Sequence, residues 1–173
     1  MVREYLPGLA AALALAPVAG CSLALDFSDK AIPIDAEIDA PYTAEQCAFL
    51  EPNNSLAEAV VITTADIGPA AICPEDPEDH DFYKFTVPAA TASVTVKLNF
   101  TNRPGGDLDL KILDSTGMMV AQSRGFLDGE TIVCPALSPR CDALAPGDYV
   151  FEVFPALGGS VNGYDFSVTI TPM

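Results

Sequence analysis

The densest chemistry in this sequence lies between positions 75 and 81. Glu75, Asp76, Glu78, Asp79 and Asp81 place five acids in seven positions, with Pro77 and His80 between them. Carboxylates this close repel one another unless they spread into water or share a cation. Calcium suits such a run, because it takes 6–8 oxygen ligands and tolerates irregular geometry. The alternative is an acidic turn that is simply solvated. A second pair, Asp107 and Asp109, stands two apart. Glycosidases need two carboxylates flanking a bond, but two acids at strand spacing read more simply as the wet face of a sheet. His80 is the only histidine, so a serine or cysteine triad would have to use it. There is no GxSxG elbow and no HExxH helix. No catalytic residue is assigned, and the chain is expected not to be an enzyme.

The remaining reactive residues are five cysteines, and the first sits apart. Arg3 opens a weakly basic leader, Tyr5 to Val18 is almost wholly apolar, and Val18-Ala19-Gly20-Cys21 follows. The apolar run is too short to span a bilayer and has the length of a signal-peptide core. Small residues directly before Cys21 resemble the lipobox of bacterial lipoproteins. That resemblance implies cleavage before Cys21 and acylation of Cys21, hence a membrane anchor on an exported protein. Ser22 after the cysteine, by resemblance to enteric lipoproteins, favours the outer membrane. Cys47, Cys73, Cys134 and Cys141 remain. An even count in an exported chain suggests disulfides, with three connectivities open. Cys47–Cys73 and Cys134–Cys141 are preferred. The first joins the start of the compact region to the acidic loop, and the second closes a short loop with two prolines. A four-cysteine zinc site would want a CxxC knuckle, and none is present.

These residues need a scaffold, and the sequence describes one in strands. Phe82 to Val87 alternates large and polar side chains; Val94, Val96, Leu98 and Phe100 share one face of the next run, and Leu108, Leu110 and Ile112 face inward in the one after. Tyr164, Phe166, Val168 and Ile170 repeat the pattern near the end. Period-two alternation marks sheets with one wet and one buried face. Arg103-Pro104-Gly105-Gly106, Asp114-Ser115-Thr116-Gly117 and Pro146-Gly147-Asp148 supply turns. Many short strands at even spacing predict an all-β sandwich or barrel. No amphipathic helix longer than two turns is evident. The expected organisation is a signal peptide over 1–20, a lipidated Cys21 and acidic flexible tether over 21–46, and one antiparallel β-sandwich over 47–173. A short strand around Ala31 to Ile38 is a competing reading of the tether.

Five features in order resemble the bacterial pre-peptidase C-terminal domain: Glu51-Pro52-Asn53-Asn54; Asp79-His80-Asp81-Phe82-Tyr83-Lys84-Phe85; Gly106-Asp107-Leu108-Asp109-Leu110 with Asp114-Ser115-Thr116-Gly117; Ala145-Pro146-Gly147-Asp148-Tyr149; and Gly163-Tyr164. The resemblance covers about residues 47 to 171. It implies a jelly-roll-like β-sandwich, usually appended to exported proteases, although no catalytic domain precedes it here. It also implies a calcium site, with Glu51, Asn53 and Asn54 opposite Asp79 and Asp81. All five offer the hard oxygens that calcium prefers. Asn54 stands where calcium-binding members often have Asp, and Phe49 where a further Glu would add a ligand. Fewer charges point to the ~10⁻⁴–10⁻³ M affinity range of extracellular modules.

Composition sets the outer limits. Twenty-four acids against eight bases leave a net charge of −16, which repels nucleic acid and anionic lipid. The expectation is therefore a monomeric, non-catalytic envelope lipoprotein. It would present a binding module to an extracellular polymer or protein. A hydrolase with an unrecognised site and a purely structural envelope protein are the alternatives. The sequons Asn53-Asn54-Ser55 and Asn99-Phe100-Thr101 are read as coincidental.

Overall fold

The computed structural model describes residues 42–63, 66–74 and 78–173. The leader, Cys21, the tether up to residue 41, and Glu75 and Asp76 of the acidic run lie outside the described residues. The first element is a single helical turn, α1 (Ala44–Cys47), closed by a capping box. The Thr43 hydroxyl accepts from the Gln46 N–H, and the Gln46 side chain accepts from the Thr43 N–H.

Eleven strands follow among the described residues. Sheet A has the order β1 (Val60–Val61), β3 (Asp81–Val87), β10 (Gly147–Pro155), β5 (Leu108–Asp114), β6 (Met119–Ser123). Sheet B has the order β2 (Asp66–Ile72), β11 (Asn162–Pro172), β4 (Thr91–Asn99), β7 (Glu130–Cys134). Both are antiparallel, except that the two-residue β1 runs parallel to β3. The third sheet is a hairpin, β8 (Ala136–Leu137) with β9 (Arg140–Cys141). Its two prolines, Pro135 and Pro139, argue against regular structure here. The structure places both prolines outside the two short strands, where neither has to donate to the ladder.

The alternation read from sequence is the alternation observed. Tyr83, Phe85 and Val87 face inward from sheet A; Val94, Val96 and Leu98 face inward from sheet B. At the centre Tyr83, Phe151 and Phe166 pack ring to ring, with centroids 4.4–5.0 Å apart. Tilted and edge-on aromatic pairs add to simple area burial. Cys47–Cys73 and Cys134–Cys141 are bonded, as preferred from sequence.

Connectivity sets up the site. The β2–β3, β4–β5, β6–β7 and β10–β11 loops all cross between the sheets at one end of the sandwich. They are tied together by hydrogen bonds. Gly159 N–H donates to Glu78, Val161 N–H to the Gly105 carbonyl, and Ala156 N–H to the Asp107 carbonyl. The Asn162 amide donates to the Thr101 and Gly106 carbonyls. At Gly129, φ is +100°, and an added Cβ would stand 2.3 Å from the Leu98 carbonyl oxygen. Only glycine fits there.

Candidate metal centre

Asp81 is the first residue of β3, and it keeps the inward parity of Tyr83, Phe85 and Val87. Its carboxylate therefore points into the mouth between the sheets, and the residue is 1 % exposed. Asp79 precedes it in the loop and is also buried. The 50–55 segment crosses the same mouth. Phe82 N–H donates to the Asn53 carbonyl at 2.9 Å, which seats Glu51, Asn53 and Asn54 over β3. Glu51, Asp79 and Asp81 each offer a carboxylate oxygen, and these lie within 4.8 Å of one another. The Cys47–Cys73 disulfide, with Cα atoms 5.9 Å apart, anchors α1 at the base of this loop.

Each aspartate has one oxygen held by the fold. Cys73 N–H donates to Asp79 Oδ2 at 2.7 Å, and the Tyr164 hydroxyl donates to Asp81 Oδ2. The other oxygens meet side-chain amides. The Asn54 amide stands 2.7 Å from Asp79 Oδ1 and 3.2 Å from the His80 carbonyl. The Asn53 amide stands 2.9 Å from Asp81 Oδ1 and 3.2 Å from both Glu51 carboxylate oxygens. With the NH₂ groups turned inward, these are ordinary hydrogen bonds. With the amide oxygens inward, the cluster is a shell of three carboxylates, two amide oxygens and the His80 carbonyl. The donor set fits calcium: all hard oxygens, six or seven of them, formal charge −3. Glu51, Asp79, Asp81, Asn53 and Asn54 would hold the ion.

The electrostatics are those of a crowded anion site. Burial pushes the Asp81 carboxyl well above the usual range; the Tyr164 hydrogen bond opposes this, and Asp79 and Glu51 push it further up. Tyr164 and Tyr83 are raised in turn, first by burial and then by Asp81. Both phenols therefore stay protonated. Tyr83 and Tyr164 oxygens are 2.7 Å apart. Since Tyr164 donates to Asp81, Tyr83 donates to Tyr164, and a buried relay ties the site to the aromatic core. Sequence reasoning missed this relay. Its signal was available: an aspartate and two tyrosines at inward-facing strand positions all need partners.

His80 points elsewhere. Its Nδ1 is 2.7 Å from Glu152 and its Nε2 3.8 Å from Glu78, and its ring stacks on Phe154. The Glu152 hydrogen bond raises its pKa against the opposing effect of burial. Lys111 also reaches Glu152, at 2.7 Å, and lies over the Phe154 ring. Asp109 is 2 % exposed and paired with Arg124 at 2.7 Å. The reading of Asp107 and Asp109 as a wet strand face is thus corrected for Asp109. The outer face of sheet A is covered here by Arg124, Lys111 and Phe154. Asn53 is fully buried, so its sequon cannot accept a glycan.

Fold and site together describe an all-β sandwich with an oxygen-rich cleft at its four-loop end. No family profile matches the chain, and no curated protein matches it. Among solved structures it is similar to the pre-peptidase C-terminal domain of a collagenase from Bacillus anthracis. That match has 17% identity and a TM-score of 0.49, and it covers 64% of this chain and 94% of that one.

Proposed function

We propose that this chain is a non-catalytic envelope lipoprotein carrying a calcium-stabilised binding module of the pre-peptidase C-terminal kind. One observation carries the calcium part: three carboxylates and two side-chain amides from separate segments converge on one cleft. Calcium there neutralises charges that burial otherwise makes costly. It also joins the 50–55 segment to the β2–β3 loop, and so stiffens the four-loop end. The lipid anchor rests on Val18-Ala19-Gly20-Cys21, and the family on the ordered motifs from Glu51-Pro52 to Gly163-Tyr164. The non-catalytic part rests on the surroundings of the single histidine: its ring contacts are Glu152, Glu78 and Phe154. A module of this build holds its cell near an extracellular polymer or protein, or a partner enzyme near the envelope.

The test is a melting curve of the full chain in calcium and in chelator. A ligand that binds only the native state adds about 2.7 kcal/mol at a hundredfold excess over Kd, roughly 5–10 °C for a domain of this size. Identical curves in the two buffers would remove calcium from the proposal. Mass spectrometry of the exported protein tests the anchor independently: the chain should begin at an acylated Cys21.

A further inference from the structure

A second, polar cleft contains none of the five residues of the candidate metal centre. It measures about 340 Å³, within the range of small-ligand sites. Gln46 of α1, Asn99 of β4, Thr101 and Arg103 of the β4–β5 loop, and Asp165 of β11 line it. Strand parity aims the acid. Tyr164 and Phe166 point into the core, so Asp165 points out, beside Asn99 on the neighbouring strand. A bulge adds to this: Gly68 and Pro69 of β2 together stand opposite Asp165. Bulges of this kind re-aim a side chain.

The two charges of this cleft are not spent on each other. Lys84, Lys111 and Arg124 each meet an acid. Arg103 and Asp165 line one cleft, yet among the described residues neither forms an ion pair. Both side chains lie against glycine. An added Cβ would stand 2.1 Å from Asp165 Oδ1 at Gly68, and 2.7 Å from Arg103 Cγ at Gly106. Backbone thus comes up directly beneath the acid and beneath the arginine stem. On its other side Arg103 borders an open hollow with Pro104, Phe126 and Leu127. Phe126 is 86 % exposed. Its loop is tied down by the Asn102 amide, which donates to the Phe126 carbonyl, and by Asn102 N–H, which donates to Asp128. Because Arg103 belongs to both hollows, an exposed ring adjoins the polar cleft.

We propose that this cleft binds a neutral polysaccharide, with one sugar unit between Asp165 and Arg103 and the next laid against Phe126. This rests on the binding-module reading and narrows its ligand. A sugar hydroxyl both donates and accepts. Neighbouring hydroxyls therefore donate to the Asp165 carboxylate and accept from the Arg103 guanidinium, and the amides of Asn99 and Gln46 serve in either role. One positive and one negative side chain leave the lining without net charge, which suits an uncharged ligand. An acidic polymer would face a chain of charge −16. An extended peptide adding to the edge strand β2 would meet Pro69, which has no N–H, and an interrupted ladder. A large apolar side chain finds no hole, because Phe100 and Tyr164 in the wall are buried. The apolar face of a sugar ring, by contrast, lies flat on an exposed aromatic such as Phe126.

The full chain would be titrated with neutral hexasaccharides of glucose, mannose and N-acetylglucosamine. Polygalacturonate and glycylglycine serve as acidic and zwitterionic comparators. Saturation-transfer NMR and calorimetry read the binding. At least one neutral hexasaccharide should bind. Asp165→Asn and Arg103→Gln, both at exposed positions, should each weaken it about tenfold, as loss of a hydrogen bond to a charged group does. Neither should lower Tm or the calcium response. Phe126→Ala should weaken binding about fivefold, the worth of one stacked ring. A neutral sugar bound equally well by the Asp165→Asn and Arg103→Gln variants would overturn the proposal and leave the binding module standing. Binding of glycylglycine or polygalacturonate alone would do the same. Silence from every probe would remove both this proposal and the polymer reading of the module.

Discussion

Two sets of buried carboxylates in this sandwich are treated in opposite ways. On the outer face of sheet A, Glu152 receives Lys111 and His80, and Asp109 receives Arg124. Each acid there is answered by a cationic side chain from a neighbouring strand or loop. In the mouth of the sandwich, Asp81 meets Tyr164, the Asn53 amide and two more carboxylates, Asp79 and Glu51. In the first set the protein supplies the opposite charge, although Asp109 Oδ1 is left without a hydrogen-bond partner. The second gathers charge of one sign and oxygens of the right hardness. Burial of like charges is tolerated where something else completes the set. The contrast separates acids paired with cationic side chains from acids gathered with one another and with side-chain amides, where the proposed calcium would bind.

The contrast can be broken or sharpened by experiment. The largest effect should come from the bridge that seats the mouth. Cys47→Ser/Cys73→Ser opens a loop with a sequence separation of 26, costing about 3–4 kcal/mol. It should also remove most of the calcium response, because Asp79 loses its fixed donor at Cys73. Chemical denaturation with and without calcium reads both effects. Next is the sign of charge removal. Asp79→Asn/Asp81→Asn should abolish the calcium-induced rise in Tm, worth about 2.7 kcal/mol at a hundredfold excess. In chelator the same variant should be as stable as the wild type or more so, because repulsion has been relieved. Loss of stability in chelator would mean that the acids are structural after all.

On the other face the sign should reverse. Lys111→Met leaves buried Glu152 with His80 alone and should cost about 2 kcal/mol with or without calcium. A calcium-dependent loss would show that the two sets are coupled. Tyr164→Phe removes the donor from Asp81 and the acceptor of Tyr83, at about 1–2 kcal/mol, and should weaken calcium binding in titration calorimetry. The smallest effect lies at the β5–β6 turn. Hydrogen bonds from the Thr116 hydroxyl and N–H and the Met118 N–H hold the Asp114 pKa below its ordinary value. A lowered folded-state pKa adds stability above the ordinary aspartate range, and this is lost as pH falls through the folded value. Asp114→Asn should thus flatten the acid limb of the Tm–pH curve below about pH 4 and change little near neutrality.

Much of this was legible before the fold. Alternation in Val94 to Phe100 and in Leu108 to Ile112 set strand faces correctly, because a side chain's face follows from its parity. The disulfide pairs were preferred from loop position, and both formed. The resemblance named Glu51, Asn53, Asn54, Asp79 and Asp81, and the structure brings all five to one mouth. Asp109 was misread, because parity says which face a residue takes but not what lies on that face. Arg124 comes from 15 residues away to pair with it. The tyrosine relay was hidden for the same reason: Tyr83 and Tyr164 are 81 residues apart and belong to different sheets.

By itself, then, the sequence determined what is local: strand parity, turns at Gly and Pro, and acids dense enough to ask for a cation. Only the tertiary structure decided which acids answer one another. Four crossings between two sheets gather loops from positions 78 to 161 at one end. Within that end, the register of the strands selects which carboxylates meet a cationic side chain and which meet one another, amides and hydroxyls. The reason is range. Propensity acts over a few residues, whereas electrostatic and hydrogen-bond partnership is settled by distances of about 3 Å between segments the chain keeps far apart.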